Sequence, residues 1–365
     1  MTMRVFGASV VVLATALVGL VAMTGPVPDR VNTDKSINGP FTVDGPYTHE
    51  NLSLYVIRGK SHDTRQYLTL DEGLTAGLVA VREKGARQGS DRAEVNSLEI
   101  ENRSDKWLFL QAGDIVKGGK QDRTIMTDLT LPPRSRPTSI DAFCVEHGRW
   151  RARDGLQFGT NTGIVSGVAL KRAIQGEKSQ PRVWEEVAKA DVKAVAAARA
   201  SGDAVADRVS TLSSTGTYNA IVEQPTLRVD RTAFVTALLP QVQKDKSAIG
   251  IAVAINGEIT SADVYASPSL LQRLSRKLLD SYATEAVFAR QSKAKAAAPG
   301  KEAVVAFLSS PSSGRGKVET VGGSMHQRTV ESDTTVLYEY AYRESDWTGH
   351  VAAARPVHQN YLKKQ

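Results

Sequence analysis

The chain has 365 residues, of which 41% are hydrophobic and 23% charged, and 46 Lys and Arg against 39 Asp and Glu leave a formal charge of +7. That length and apolar content suffice for one large domain or two modest ones and exclude collagenous, low-complexity and polytopic membrane classes. The single cysteine excludes a disulfide framework and any cysteine-rich zinc or iron–sulfur site, and +7 over so large a surface is informative only where it clusters.

Residues 1–23 hold one basic residue, Arg4, ahead of an uncharged apolar run over residues 5–22. About 18 such residues mark an export segment whose length stands between a long signal-peptide core and a short membrane span. Cleavage and retention both fit: Ala22 with Thr24 is a poor small-residue cleavage pair, and Pro26 follows closely. Residues 1–24 are therefore read as signal peptide or membrane anchor, and the Pro/Gly-rich residues 25–46 as a flexible tether. The folded part is expected outside the cytoplasm, periplasmic, secreted or held at the envelope, with membrane contact through the N-terminal segment if it is not cleaved.

Residues 52–57 alternate apolar and polar and read as a strand, and Thr69, three residues before Glu72, gives the capping-box spacing of a helix that runs to about Lys84 and stops at Gly85. Residues 95–101 and 107–111 are two short β-prone runs flanking a turn-forming stretch, which predicts a hairpin. The stretch 124–145 is strand-like with a break at Pro132 and Pro133. Together these segments predict an antiparallel, sandwich-like or jelly-roll-like sheet region.

After Ser179 and Pro181 the character turns helical, with Val183, Trp184, Val187 and Ala188 on one face and Ala-rich sequence continuing to about Thr211. A second helix is expected over 230–243. Residues 248–255 and 258–265 flank Asn256-Gly257, the dipeptide suited to a type I′ hairpin. Ser267-Pro268 opens a helix through Arg290 whose buried stripe is Leu270, Leu271, Leu274 and Leu278. Residues 291–300 read as a linker, and the strand-like runs 303–308 and 335–342 as a β-rich C-terminal extension (301–365) of the same body. The predicted fold class is α+β: a sandwich-like antiparallel sheet region, several packed helices and that extension.

Two motifs stand out: Gln111-Ala112-Gly113-Asp114-Ile115-Val116-Lys117-Gly118-Gly119-Lys120-Gln121-Asp122-Arg123, and Phe143-Cys144-Val145-Glu146-His147-Gly148-Arg149-Trp150. With Val183-Trp184 and Val187, the Asn256-Gly257 hairpin, Leu278-Leu279-Asp280-Ser281-Tyr282 and Glu285-Ala286, they resemble the ARPP-1 family, the ADP-ribosylglycohydrolase and rhodanese-phosphatase-associated domain of unknown function. The resemblance covers about residues 47–290. It implies association, through neighbouring genes, with ADP-ribose and RNA-repair-like chemistry, without an established activity.

Read for their own chemistry, Gly118, Gly119, Lys120, Gln121, Asp122 and Arg123 combine two permissive glycines with two cations, a set able to cradle a phosphate or carboxylate. It is not a Walker A loop, because Gln121 stands where Ser or Thr would bind magnesium. The same run also fits a tight turn between strands with solvated charges. In the second motif, period-two alternation puts Ala142, Cys144 and Glu146 on one strand face and His147 on the other. Glu146 could act as a general base or orienting carboxylate, or form an ion pair with Arg149 or Arg123; Arg149 could hold an anion through two hydrogen bonds. Cys144 is a candidate nucleophile, although a lone cysteine in an apolar strand is more often core.

Between residues 117 and 153 there are eight Lys and Arg and four acids, a local surplus of four that coincides with both motifs. The six histidines show no metal-ligand spacing, although Asp114, Asp122 or Asp128 could still contribute to a carboxylate-only magnesium or calcium site; no cofactor motif or serine-hydrolase elbow is present, and no basic stripe interleaved with aromatics points to nucleic acid. Nothing sets the oligomeric state. Two readings follow. One is an enzyme or sensor for an anionic small molecule (a nucleotide, ADP-ribose or a sugar phosphate), which requires the motif residues to converge around a pocket. The other is a non-catalytic envelope protein that binds protein, glycan or membrane-surface partners, which requires them to be satisfied internally.

Overall fold

A computed structural model of the chain describes residues 41–61, 63–85, 96–148, 157–200, 216–290, 296–313, 316–322, 324–343 and 355–364. The segment read as an export signal, most of the stretch read as a tether, Arg149 and the helical sequence expected past Ala200 lie outside these residues. The chain begins with β1 (Thr42–His49), β2 (Leu52–Arg58), β3 (Tyr67–Thr69), α1 (Leu70–Thr75), β4 (Val79–Glu83), β5 (Ser97–Asn102) and β6 (Trp107–Leu110). The motif region follows as β7 (Asp114–Gly118), β8 (Arg123–Ile125), β9 (Leu129–Leu131), β10 (Ser135–Cys144) and β11 (Phe158–Val165). Helices α2 (Val168–Arg172), α3 (Gln180–Ala200), α4 (Tyr218–Val222) and α5 (Pro225–Gln243) come next, with a π-helical turn, Ala173–Glu177, after α2. The chain then forms β12 (Ala248–Ile255), β13 (Glu258–Tyr265), α6 (Pro268–Phe288), α7 (Lys301–Ser309), β14 (Lys317–Gly322), β15 (Met325–Glu331), β16 (Thr335–Tyr342) and β17 (Arg355–Lys363).

The described strands form three sheets, ordered β1-β2-β12-β13-β17-β16-β15-β14, β11-β7-β8-β10-β5-β4 and β3-β6-β9. Among the described strands all pairings are antiparallel except β3 with β6, and the fold is α+β as expected. Asn256 (φ 52°) and Gly257 (φ 80°) close the β12–β13 hairpin with the two positive φ angles of a type I′ turn. β12 is buried along its whole length, because α6 covers one face and α7 with its neighbours the other. The stripe Leu270, Leu271, Leu274 and Leu278 of α6 is buried as its spacing predicts.

Several segments depart from expectation for local reasons. The capping box forms, Thr69 accepting from the Glu72 amide and Glu72 from the Thr69 amide, but α1 lasts only six residues. Gly77, at φ 68°, ends it in the left-handed position, and Val79, Val81 and Glu83 then alternate inward as strand β4. The hairpin expected over 95–111 does not form: β5 pairs with β4 and β10, and β6 with β3 and β9. Buried Asn102 is the cause. Its amide donates to the carbonyls of Lys106 (2.8 Å) and Pro132 (2.9 Å), and its Oδ1 accepts from Ser104, so the intervening backbone is satisfied by a side chain and the chain leaves for another sheet.

Residues 303–308 are helical and not strand, with Val304 and Leu308, four apart, as the buried face of α7. On α3 the buried line is Val183, Val187, Ala190, Ala194 and Ala198, with Ala188 exposed. β1 starts at Thr42, inside the stretch expected to be tether. The strands of the C-terminal extension belong to the same body, as expected, with β17 lying between β13 and β16 in the eight-stranded sheet.

Candidate functional site

The second half of the first motif is the turn from β7 to β8. Ile115 pairs with Thr124 and Val116 with Arg123, and β8 in turn pairs Arg123 with Cys144 of β10. Gly118 (φ 134°) and Gly119 (φ 50°) make the turn. A Cβ on Gly118 would stand 2.7 Å from the Gln157 carbonyl oxygen, and one on Gly119 would stand 2.3 Å from the Phe158 ring and 2.7 Å from a Glu83 oxygen. Protein, then, requires the missing side chains here.

The polar side chains of the turn also face protein. Asp122 accepts from the Gly118 amide (3.0 Å), Thr217 Oγ1 (2.9 Å) and Asn219 Nδ2 (2.8 Å). Glu146 accepts from the Asp122 amide (3.0 Å), and its carbonyl from Gln121 Nε2 (2.7 Å). Arg123 donates to both Glu83 oxygens at 3.3 Å and to the Gln121 carbonyl at 3.2 Å, and the Arg123 and Glu83 side chains are both 0% exposed. The Lys120 amide donates to the same Glu83 at 3.0 Å, and Lys120 and Gln121 are buried.

Cys144 is buried on β10, where Gln180 of α3 clamps its backbone by accepting from its N–H and donating to its carbonyl, both at 2.8 Å. Burial pushes the Cys144 thiol up, with Arg123 opposing it only in part, which is opposite to the thiolate a nucleophile needs. His147 lies edge-on to Trp184, ring centroids 4.6 Å apart, and not against Cys144. Gly118, Gly119, Lys120, Gln121, Asp122, Arg123, Cys144 and Glu146 thus meet in one region; Arg149 lies outside the described residues. Three of the cations in the surplus meet acids outside that span: Lys117 pairs with Glu223 at 3.1 Å, Arg123 with Glu83, and Arg134 with Asp105.

Sequence reasoning missed Glu83, Gln180, Thr217 and Asn219. For Glu83 a signal existed, a carboxylate in phase with Val79 and Val81 on an apolar strand face, but the helical reading of 70–84 hid it.

The first half of the motif opens a second constellation. Gln111 Nε2 donates to Asp263 (3.3 Å), the Ala112 amide to Asp128 (2.7 Å), and the Gln111 amide to Asp114 (3.0 Å). His358 stands between the two aspartates, Nδ1 at 2.7 Å from Asp128 and Nε2 at 3.0 Å from Asp263. A ring with a carboxylate on each nitrogen must donate from both and is therefore imidazolium. Burial opposes that charge, but Asp128 and Asp263 outweigh it and raise His358 to about 9.

Tyr265 stacks on the His358 ring at 4.4 Å and 9°. Asp263 is also approached by Lys171 Nζ at 3.6 Å, by the Tyr282 hydroxyl and by Asn360 Nδ2 at 2.9 Å. Burial works against its ionisation, yet Lys171 and His358 hold it well below the usual carboxylate range. Close by, Lys277 pairs with Asp71 (2.6 Å) and Asp114 (2.8 Å), which keep it protonated against burial. Among the described residues no group of three or more His, Cys, Asp or Glu is placed to hold a metal ion.

Fold and site together define an α+β domain in which one long motif threads two buried polar clusters, a clasp at its end and an ionic centre at its start. The model of the ARPP-1 family, the ARG and Rhodanese-Phosphatase-superfamily-associated Protein domain, matches residues 40–354, and the chain belongs to that family. No curated protein and no solved structure matches the chain.

Proposed function

We propose that this ARPP-1 protein is an exported, non-catalytic binding module of the cell envelope, in which the Gly118–Arg123 turn and the Cys144–Glu146 strand end hold the fold together. One observation carries this reading: the motif arginine is fully buried on a fully buried carboxylate, Arg123 on Glu83. An arginine reserved for a phosphate would need its guanidinium exposed to the ligand and its counter-charge supplied by it. Asp122 with its three donors and Cys144 with its raised thiol pKa support the same reading. The apolar run over residues 5–22 supports export, either with cleavage or with retention as an anchor.

The competing reading, an anionic ligand at this turn, meets it in a direct test. Thermal unfolding with millimolar phosphate and with ADP-ribose should show no saturable rise in Tm, since only a ligand that binds the folded state stabilises it. A saturable rise that Lys120→Ala abolishes would transfer the motif to the anion reading.

A further inference from the structure

Three strands at the edge of the large sheet and the π-helical turn enclose a polar cleft of about 430 Å³, lined among others by Gln175, Gly176, Gln327, Thr329 and Tyr338. Cross-strand register builds its wall. Lys317, Thr329 and Tyr338 stand opposite one another across β14, β15 and β16, and Glu319, Gln327 and Tyr340 form the next row. Residues two apart on a strand share a face, so both rows present their side chains together.

One polar atom here is fully buried without a partner, and a second side chain carries a hydroxyl that no described residue engages. Gln327 is 1% exposed; its amide nitrogen donates to Thr329 Oγ1 at 3.1 Å, while its Oε1 has no hydrogen-bond partner. Tyr338 is 3% exposed, burial pushes its hydroxyl up to about 12, and that hydroxyl has no hydrogen bond to any described residue. A buried acceptor without a partner costs about 1–3 kcal/mol, so such groups are few in native proteins and call for an explanation.

Gly176, in the π turn, keeps the Tyr338 hydroxyl clear. A Cβ there would stand 2.5 Å from that oxygen. The π turn is a backbone irregularity of a kind found often at functional sites. The floor beneath is fixed: Gln175 accepts from the Tyr340 hydroxyl (2.7 Å) and donates to Asn360 (3.2 Å), which in turn donates to Asp263 of the ionic centre.

The charges around the cleft are engaged with one another. Lys178 and Lys317 both pair with Glu319, and Glu331 pairs with Lys364. The lysines and acids that line the cleft are two of each, Lys178 and Lys317 with Glu319 and Glu331, and none lacks an ionic partner. What remains is an amide acceptor, a phenol and a threonine hydroxyl, the complement of a ligand with several hydroxyl groups and no charge. In a wider cleft of about 930 Å³ at the start of α6, Ser267 and Ser269 bond each other and Lys246 bonds Gln272.

The geometry points to a binding site for an uncharged saccharide of one or two rings in the cleft between the π turn and β14–β16, held by Gln327 and Tyr338. It rests on the binding-module reading above and gives that module a ligand class. The test is titration of the full chain with glucose, galactose, mannose, N-acetylglucosamine and their disaccharides, followed by saturation-transfer NMR and calorimetry. At least one should bind saturably.

Gln327→Met and Tyr338→Phe should each weaken binding about tenfold, consistent with the loss of one buried hydrogen bond. Gln327→Met should leave Tm unchanged or raise it, because the loss of one hydrogen bond to Thr329 is offset by removal of a buried oxygen that no protein group satisfies. That pairing separates a binding group from a merely structural one. Absence of saturable binding to every sugar at 20 mM (roughly the weakest affinity such a pocket could hold), or binding unaffected by both substitutions, overturns the site. Sugar bound and chemically converted, as NMR would reveal, keeps the site and sinks only the non-catalytic reading.

Discussion

At the level of single residues, His358 carries the clearest pH signature. The groups facing it are Asp128, Asp263, Tyr265 and Tyr340, with Lys171 on the far side of Asp263. Its folded-state pKa, about 9, lies above the usual 6.5. The resulting stabilisation is therefore complete below about pH 6.5 and is lost as the pH rises through 9. A shift of that size corresponds to something on the order of 3 kcal/mol. Urea unfolding at pH 6.5, 8 and 10 should show the wild type losing stability over this interval. His358→Gln should start lower, because two buried carboxylates lose their cation, and run flatter. Equal slopes in the two proteins would remove His358 from the account. None of this was legible in the sequence, where His358 stood as one of six histidines without ligand spacing. Its partners lie 230 and 95 residues away, and no local periodicity encodes a contact at that range.

At the level of elements, glycines separate the parts that local sequence encodes from those it does not. Gly77 and Gly119 both have positive φ, 68° and 50°, but nothing lies within 4 Å of a Cβ on Gly77, whereas one on Gly119 would meet Phe158 and Glu83. Gly77→Ala should cost about 1 kcal/mol, the strain of the left-handed region alone. Gly119→Ala should cost more than about 3 kcal/mol, because β11 and β4 must move as well. Chemical denaturation of the two variants decides this, and equal costs would mean that the β7–β8 turn is not packed as described.

Where an element's signal is local, the sequence carried it: the Thr69 capping box, the Asn256-Gly257 hairpin and the leucine stripe of α6 all form. Where a short apolar run lacked a decisive period, as over 303–308, strand and helix were equally available, and burial of Val304 and Leu308 against the sheet selected the helix. The 95–111 hairpin failed because a single buried side chain, Asn102, redirected the backbone between its two runs.

At the level of the whole molecule, the two motifs are the places where distant elements are tied together. The turn from β7 to β8 engages β4 through Glu83, β10 through pairing, and the start of α4 through Thr217 and Asn219, while Gln180 fastens α3 to Cys144. That the motif residues should converge was a requirement of the anion reading alone, and the described ones do meet in one region. That they would face protein and not ligand was not legible, because the acid that neutralises Arg123 sits 40 residues earlier in a segment that reads as helix.

The central claim is that Arg123 and Glu83 serve the fold. Removing one member of a fully buried ion pair strands a charge and typically costs about 3–5 kcal/mol, whereas removing both with apolar or neutral groups costs much less than the sum. The most direct measurement is a double-mutant cycle in urea with Glu83→Gln, Arg123→Met and the pair. Large single losses with a coupling of about 2 kcal/mol or more are expected. Singles within about 0.5 kcal/mol of wild type, the range of an ordinary surface change, would contradict the claim and return the arginine to a role toward a ligand.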